Sequence, residues 1–287
     1  MKFTIVTPSY NQGQYIEQTI KSVLDQAGDF FIDYIIADGG STDKSVEIIK
    51  KYDNLLKNGL YPIKCNGIEL HWWSKKDKGQ SDAINQGFKI AKGEILAWIN
   101  SDDFYEANAF KEVLEIFNAH TELDLVYGDG YVVKDGTSNK TIKRSTVGTF
   151  NEFLRRYNYI FQPSAFWKKN IFDKVGPLDE SLNFVMDYDL WLRIFKYSDK
   201  NKLHVSAVWS NYREWESSKS VSQMNKFVKE RKTLFKKYGG NKIDPYIIQK
   251  IITSRYFNFI KKVNIKMANA LEKCIFYISD SFYYKIN

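Results

Sequence analysis

The chain has 287 residues, 44% of them apolar and 16% aromatic, enough for a substantial core and too hydrophobic for a chain that stays disordered because it cannot bury enough surface. Its net charge of +8 is unevenly placed: residues 1–215 carry 27 Lys+Arg against 29 Asp+Glu, and residues 216–287 carry 15 against 5. A basic surface confined to the last quarter, without a nucleic-acid-reading motif, argues against a nucleic-acid binder. Two distant cysteines, Cys65 and Cys274, suggest neither a disulfide framework nor a zinc site and fit a reducing cytosol. The opening MKFTIVTPSYNQG reads as a strand rather than a signal peptide. Nowhere do 18 consecutive apolar residues occur, so any membrane contact is expected to be peripheral.

Phe3 to Thr7 is a short β-branched run closed by Pro8, and Tyr15, Ile16, Ile20, Val23 and Leu24 then recur at helical spacing. Ile32 to Ala37 predicts a second strand, ending in Asp38-Gly39-Gly40-Ser41, with a helix from about Thr42 to Tyr52. A strand at Glu69 to Ser74, a helix from about Gln80 to Ala91 and a strand at Glu94 to Ile99 continue the alternation, which predicts a parallel sheet covered by helices. Ligands of such sheets bind beyond the carboxyl ends of the strands. There the chain places Thr7-Pro8-Ser9-Tyr10, Asp38-Gly39-Gly40-Ser41 and Ser101-Asp102-Asp103. A helix to about Ala119, short strands near Leu125 to Val133 and a less regular stretch to Trp209 follow. From Ser217 onward the chain reads as Lys-rich helices, beginning with Met224 to Tyr238 and resuming after Gly239-Gly240 and Pro245, and the boundary is placed near 215.

Two adjacent carboxylates after a buried strand suit a hard, oxygen-ligated divalent ion such as Mg²⁺ or Mn²⁺. On their own they are weak evidence for it, because carboxylates are ordinary residues at helix N-termini. In Asp77-Lys78-Gly79-Gln80-Ser81-Asp82, a helix start bearing Lys either meets a base or diphosphate or is a solvated cap. Ser41-Thr42-Asp43 reads as a helix N-cap.

The strings TPSYNQGQYIEQTIKSVLDQ, IIADGGSTDKS, DKGQSDAINQGFKIAKGEILAWINSDD and MDYDLWLR, in that order, resemble the family 2 glycosyltransferases, particularly the bacterial branch that builds O-antigen and other surface polysaccharides. The resemblance covers roughly residues 3–215 and leaves the tail out. It implies an α/β GT-A fold, Rossmann-like, with a mostly parallel sheet and helices on both faces. Within it, residues 1–105 would bind the nucleotide-sugar and 106–215 the acceptor, with a helical extension over 216–287.

By this resemblance Asp103 ligates the metal, and Asp102 faces the ribose and metal waters. Asp38 accepts a hydrogen bond from the base, most often uracil, and Thr7, Pro8, Ser9 and Tyr10 line the same pocket. Lys78, Gly79, Asp82 and Ser101 join the nucleotide-binding set. An acceptor hydroxyl needs a base to become nucleophilic near neutral pH, and Asp187 is expected to fill that role. The family's usual pair there is Glu-Asp, so Met186 is a departure. With no second nucleophile, one displacement with inversion is expected. Asp189 either caps its helix or pairs with Arg193 at i+4. Gln162 belongs to a region that shapes the acceptor pocket, and Phe166 and Trp167 read as core. Trp191 is open between stacking on a sugar and packing in the core. Many relatives carry a His two places after Arg213, on a segment that reaches the metal. Here Trp215 stands in that place, leaving Arg213 as a candidate phosphate clamp, with Lys219 a weaker one.

The expected activity is therefore metal-dependent, inverting transfer from a nucleotide-sugar, most often a UDP-sugar, to a saccharide acceptor, polyprenyl-diphosphate-linked in surface polysaccharide synthesis. Two competing readings are a nucleotide-sugar-binding subunit with little turnover and a nucleotidyltransferase. The latter needs a glycine-rich basic loop after the first strand, which Thr7 to Gly13 lacks. In the tail, Ile247, Ile248, Ile251, Ile252, Phe259, Met267, Leu271, Ile275 and Ile278 recur at helical spacing among lysines. Such a stretch either lies on an anionic membrane surface, placing the protein on the cytoplasmic face, or packs on the catalytic domain or a second subunit.

Overall fold

The computed structural model describes residues 1–137, 139–155, 158–215 and 224–240. Strands β1 (Lys2–Ser9), β2 (Gly28–Asp38), β3 (Cys65–Ser74) and β4 (Ile95–Trp98) are mutually parallel, in the order β3-β2-β1-β4. β1, β2 and β4 are buried along nearly their whole length, which is why they read as apolar runs rather than as alternating strands. Helices α1 (Ile16–Leu24), α2 (Ser45–Lys57) and α3 (Gln80–Lys89) connect them. Successive side chains of β1 point to opposite faces. Phe3 stacks on Phe110 of α4 (Ala109–Ala119), with centroids 5.0 Å apart. Val6 faces α3, where a Cβ on Gly87 would stand 2.6 Å from Val6 Cγ1. Helices thus cover both faces, as the alternation predicts.

Beyond β4 the sheet continues through β8 (Ala165–Lys168), β6 (Leu125–Lys134), β9 (Lys202–Glu214) and β5 (Phe104–Tyr105), with β7 (Lys140–Lys143) paired to β6. The β4–β8, β6–β8, β6–β7 and β5–β9 pairs are antiparallel, and β6–β9 is parallel. The stretch that reads as irregular therefore contains the 13-residue β9. Its register against β6 shifts around Asp129, and such irregularities erase the period of two by which a strand is recognised. Between β8 and β9 lie α6 (Lys169–Val175) and α7 (Met186–Tyr197).

The chain divides into two compact units. The described residues of 1–147 and 159–215 form the first. The second gathers those of 148–158 and 224–240, including α5 (Phe150–Arg155) and α8 (Met224–Lys237). Within it, buried Arg231 donates to the Leu154 carbonyl at 3.4 Å, and Phe150 meets Tyr238 edge-on. The amphipathic pattern after 241, and Lys219, lie outside the described residues.

Candidate active site

Parallel strands end together, so the C-terminal ends of β1, β2, β3 and β4 bring four loops to one edge. The β1–α1 loop is stitched to the β2–α2 loop by several bonds. Asn11 N–H donates to Ser41 Oγ (2.8 Å), Thr42 N–H to Asn11 Oδ1 (2.8 Å) and Gly13 N–H to Asp43 Oδ2 (2.8 Å). Asp43 also accepts from Ser45 N–H at 2.9 Å, the capping role expected of this segment. Burial pushes its carboxyl up, but the bonds from Ser45 and Gly13 outweigh this and hold it below the usual carboxylate range. Ser9 Oγ is buried there without a hydrogen-bond partner, and Tyr10 stands 62% exposed at the rim. Thr7 is fully buried, its hydroxyl 3.1 Å from Tyr34 Oη, so it supports the pocket floor.

Asp38 sits among four donors. Ser41 Oγ, at 2.5 Å, reaches Oδ1, while Gly40 N–H (3.1 Å), Ser41 N–H (2.8 Å) and Ser74 Oγ (2.6 Å) reach Oδ2. A carboxylate offers about four lone-pair sites, two on each oxygen, so Asp38 organises its own turn chiefly through Oδ2, while Oδ1, with one donor on it, keeps a lone pair for a base. Asp77, at the head of the segment before α3, packs against Gly39. Its Oδ2 is 2.7 Å from where a Cβ on Gly39 would stand, so only glycine at 39 admits it. Its Oδ1 accepts the Gly79 N–H at 2.9 Å. Asp82 accepts the Lys78 N–H at 2.9 Å, the bond chiefly responsible for its lowered pKa, so it caps α3. The Lys78 side chain is 81% exposed and 3.8 Å from Glu180.

The Ser101-Asp102-Asp103 turn is held from three sides. Thr19 Oγ1 lies 2.9 Å from the Ser101 carbonyl and 2.6 Å from that of Asp103. Asn100 Nδ2 donates to Asp103 Oδ2 at 3.1 Å, and Gln80 Nε2 donates to Asn100 Oδ1 at 2.7 Å. Across the sheet, Arg213 N–H donates to Asp103 Oδ1 at 2.9 Å. Asp103 is fully buried, and burial, followed by the charge of Asp102, pushes its carboxyl well above the usual range. Two adjacent carboxylates, one of them buried and short of positive charge, fit a hard divalent cation. Each Asp103 oxygen, with one donor already on it, keeps a lone pair for such an ion.

Arg213 is engaged rather than extended toward a ligand. Its Nε donates to the Asp102 carbonyl at 3.1 Å, and its terminal nitrogens donate to Asp135 Oδ1 (3.3 Å) and Gln18 Oε1 (2.5 Å). The guanidinium also lies 4.6 Å from the Tyr15 ring centroid. Burial, then the 2.7 Å bond to Asp135, push the Tyr15 phenol up to about 12. In this arrangement Arg213 braces the acidic turn. Trp215 does reach the carboxylates, its Nε1–H donating to Asp102 Oδ2 at 2.9 Å. Indole is only a donor and cannot ligate a metal.

Asp187 lies in the first turn of α7. Ser81, in the first turn of α3, has its Oγ 2.9 Å from both Met186 Sδ and the Leu182 carbonyl, which joins the starts of α3 and α7. Met186 thus packs where the family's usual carboxylate would stand. Asp189 is buried and ion-paired with Arg193 Nε at 2.8 Å, away from the site. Trp191 is fully buried, stacked on Trp98 at 5.9 Å and edge-on to Trp167 at 5.3 Å, with no face left for a sugar. The core reading of Trp191 replaces the acceptor one. Gln162 Nε2 donates to the Trp98 carbonyl at 2.9 Å, placing Gln162 beside the end of β4. Phe166 and Trp167 are core.

Residues 4–177 match the family model described as glycosyl transferase family 2, a span that includes Asp38, Asp102 and Asp103 and stops short of Asp187. An uncharacterized glycosyltransferase of Rickettsia conorii is 28% identical over 232 residues, 77% of this chain and 36% of its own length. The chain spans roughly a third to three fifths of the length of the Rickettsia relatives it matches. A PGL/p-HBAD biosynthesis glycosyltransferase of Mycobacterium bovis is 28% identical over 74% of this chain and 77% of its own. Among solved structures, S. aureus TarS 1-349 in complex with UDP-GlcNAc superimposes with a TM-score of 0.63 at 17% identity, covering 93% of this chain and 77% of that one. The mannosyltransferase PcManGT from Pyrobaculum calidifontis, in complex with GDP-Man and Mn2+, gives 0.57 at 13% identity over 94% and 77%. The fold is that of these GT-A neighbours.

Proposed function

The chain belongs to glycosyl transferase family 2, and on that premise we propose that it transfers a sugar, with inversion, from a UDP-sugar to a lipid-linked saccharide acceptor in bacterial surface polysaccharide synthesis, at the cytoplasmic face of the membrane. The observation that carries the reading is the buried Asp103 beside Asp102 at the edge where the donor loops and the start of α7 meet.

Departure of a nucleoside diphosphate leaves negative charge behind; Asp103 and Asp102 would hold a Mn²⁺ or Mg²⁺ ion, which would supply the charge that offsets it. Tyr10, Ser9 and Asp77 border the nucleotide, over a floor of Thr7 and the Asp38 turn. Arg213 and Thr19 keep the acidic turn from moving as charge develops, so no reorganisation is needed at that moment. Asp187 takes the proton of the acceptor hydroxyl, whose oxygen bonds to the anomeric carbon as the carbon–oxygen bond to the diphosphate breaks. One displacement inverts the centre. A nucleotide-sugar donor draws support from the TarS complex with UDP-GlcNAc and the PcManGT complex with GDP-Man. No helix among the described residues is long and apolar enough to cross a membrane.

A screen of UDP-, GDP- and dTDP-sugars for nucleotide diphosphate release, with and without Mn²⁺, tests the proposal. Metal-stimulated release from a UDP-sugar is expected. Metal-dependent donor binding without turnover on any acceptor would instead favour the binding-subunit reading. Asp187→Asn is expected to lower transfer by about 10²–10⁴-fold with nucleotide binding unchanged, and loss of binding would remove Asp187 from the role of base.

A further inference from the structure

Midway along β2 and β3, three side chains turn toward one point. Asp33 of β2 is fully buried, and its Oδ2 accepts from Thr4 Oγ1 at 2.7 Å and Lys92 N–H at 2.8 Å. Its Oδ1 is equally buried and has no hydrogen-bond donor. His71 Nε2 is likewise buried without a hydrogen-bond partner, 3.7 Å from Asp33 Oδ1 and 3.8 Å from Glu69 Oε2. These separations are too long for hydrogen bonds. The pairing of β2 with β3 sets Asp33 opposite Glu69 and Ile35 opposite His71, so the period of two puts all three on one face of the sheet. Ligand atoms from the three lie within 4.8 Å of one another.

We propose that Asp33, Glu69 and His71 bind a divalent transition ion of the zinc class. A buried carboxylate oxygen without a donor is unfavourable, and an ion shared with His71 Nε2 would satisfy both orphaned atoms at once. One imidazole nitrogen and two carboxylate oxygens are zinc-type donors, with a water as the fourth ligand. The His71 side chain is 41% exposed, while its Nε2 is turned inward and buried. The bonds from Thr4 and Lys92 to Oδ2 fix the Asp33 carboxylate with Oδ1 turned to the site, the outer-shell support that ligating carboxylates carry. Glu69 Oε2 also pairs with Lys92 Nζ at 3.2 Å, while Lys2 Nζ lies 3.6 Å from Oε1. Exposed lysine pairs of this kind contribute little, so the ion displaces Lys92 and leaves Lys2 in place. Asp33 is five residues before Asp38, about 16 Å along the strand. The ion therefore clasps the edge strand β3 to β2 and is separate from the acidic pair at 102 and 103.

Co²⁺ titration of the chelator-treated full chain tests this, followed by visible d–d absorption and by the thermal midpoint. The unaltered protein and Asp103→Asn are both expected to bind one Co²⁺ with a tetrahedral band and a raised midpoint. His71→Ala and Glu69→Gln, at partly exposed positions, are expected to lose affinity by at least about tenfold while keeping their far-ultraviolet circular dichroism and nucleotide-sugar binding. Absence of the band and of the thermal shift in the unaltered protein would overturn the proposal. So would loss of the band in Asp103→Asn with retention in His71→Ala, which would assign the ion to the transferase site. Neither result bears on donor turnover, so this inference and the transferase reading fail separately.

Discussion

Asp43 and Asp103 show how a carboxylate's surroundings decide its work. Asp43 is exposed and surrounded by donors that favour its charge, so it binds a proton less tightly folded than unfolded. Its contribution to stability is complete above the ordinary value of 3.8 and disappears as pH falls through its depressed native value. Asp43→Ala is expected to lower stability by about 1 kcal/mol, the usual loss of a helix cap, and to flatten the acid limb of denaturant midpoint against pH. Asp103 lies in the opposite surroundings, buried beside a like charge. Asp103→Asn keeps its shape and removes the charge, so nucleotide binding is expected to lose its dependence on Mn²⁺, weakening by at least about tenfold, by calorimetry with the ion present and absent. Asp103 was legible in the sequence because its neighbours in the string are informative. Asp77 was not: its proximity to Gly39 arises from the packing of two loops, which no local spacing reports.

At the scale of elements, α7 does two jobs with one sequence. Its first turn carries Asp187, the proposed base, and its buried face seats Trp191 against Trp98 and Trp167. Trp191→Ala is expected to lower stability by about 3–5 kcal/mol, the range for a large buried aromatic, measured as a denaturant midpoint. Trp191→Phe, milder, should leave the acceptor KM unchanged; a selective rise in that KM would return Trp191 to the acceptor site. Gly87→Val forces α3 off β1 at Val6 and is expected to lose about 1–3 kcal/mol, again read as a midpoint shift. Strands β1, β2 and β4 were legible because they are buried runs between strong turn residues. β9 was hidden by its register shifts, and with it the source of the Arg213 and Trp215 contacts.

At the scale of the whole molecule, the parallel half could be read in chain order, because each of its units forms from consecutive residues. The mixed half could not, since β4, β8, β6, β9 and β5 neighbour one another far out of sequence order. Charge was legible throughout. With 15 Lys+Arg against 5 Asp+Glu over residues 216–287, binding to vesicles rich in anionic lipid is expected at low salt and should fall sharply as ionic strength approaches about 1 M, where screening is nearly complete; flotation unaffected by salt, or absent, would remove the electrostatic anchor. The hydrogen bond from Arg213 N–H to Asp103 spans 110 residues. A nascent chain lays down the donor-side strands well before residue 213 is made. The acidic turn acquires its last brace only when β9 docks, so competence to grip a nucleotide arrives late in synthesis, and a partly made chain has little means of sequestering the cell's sugar nucleotides.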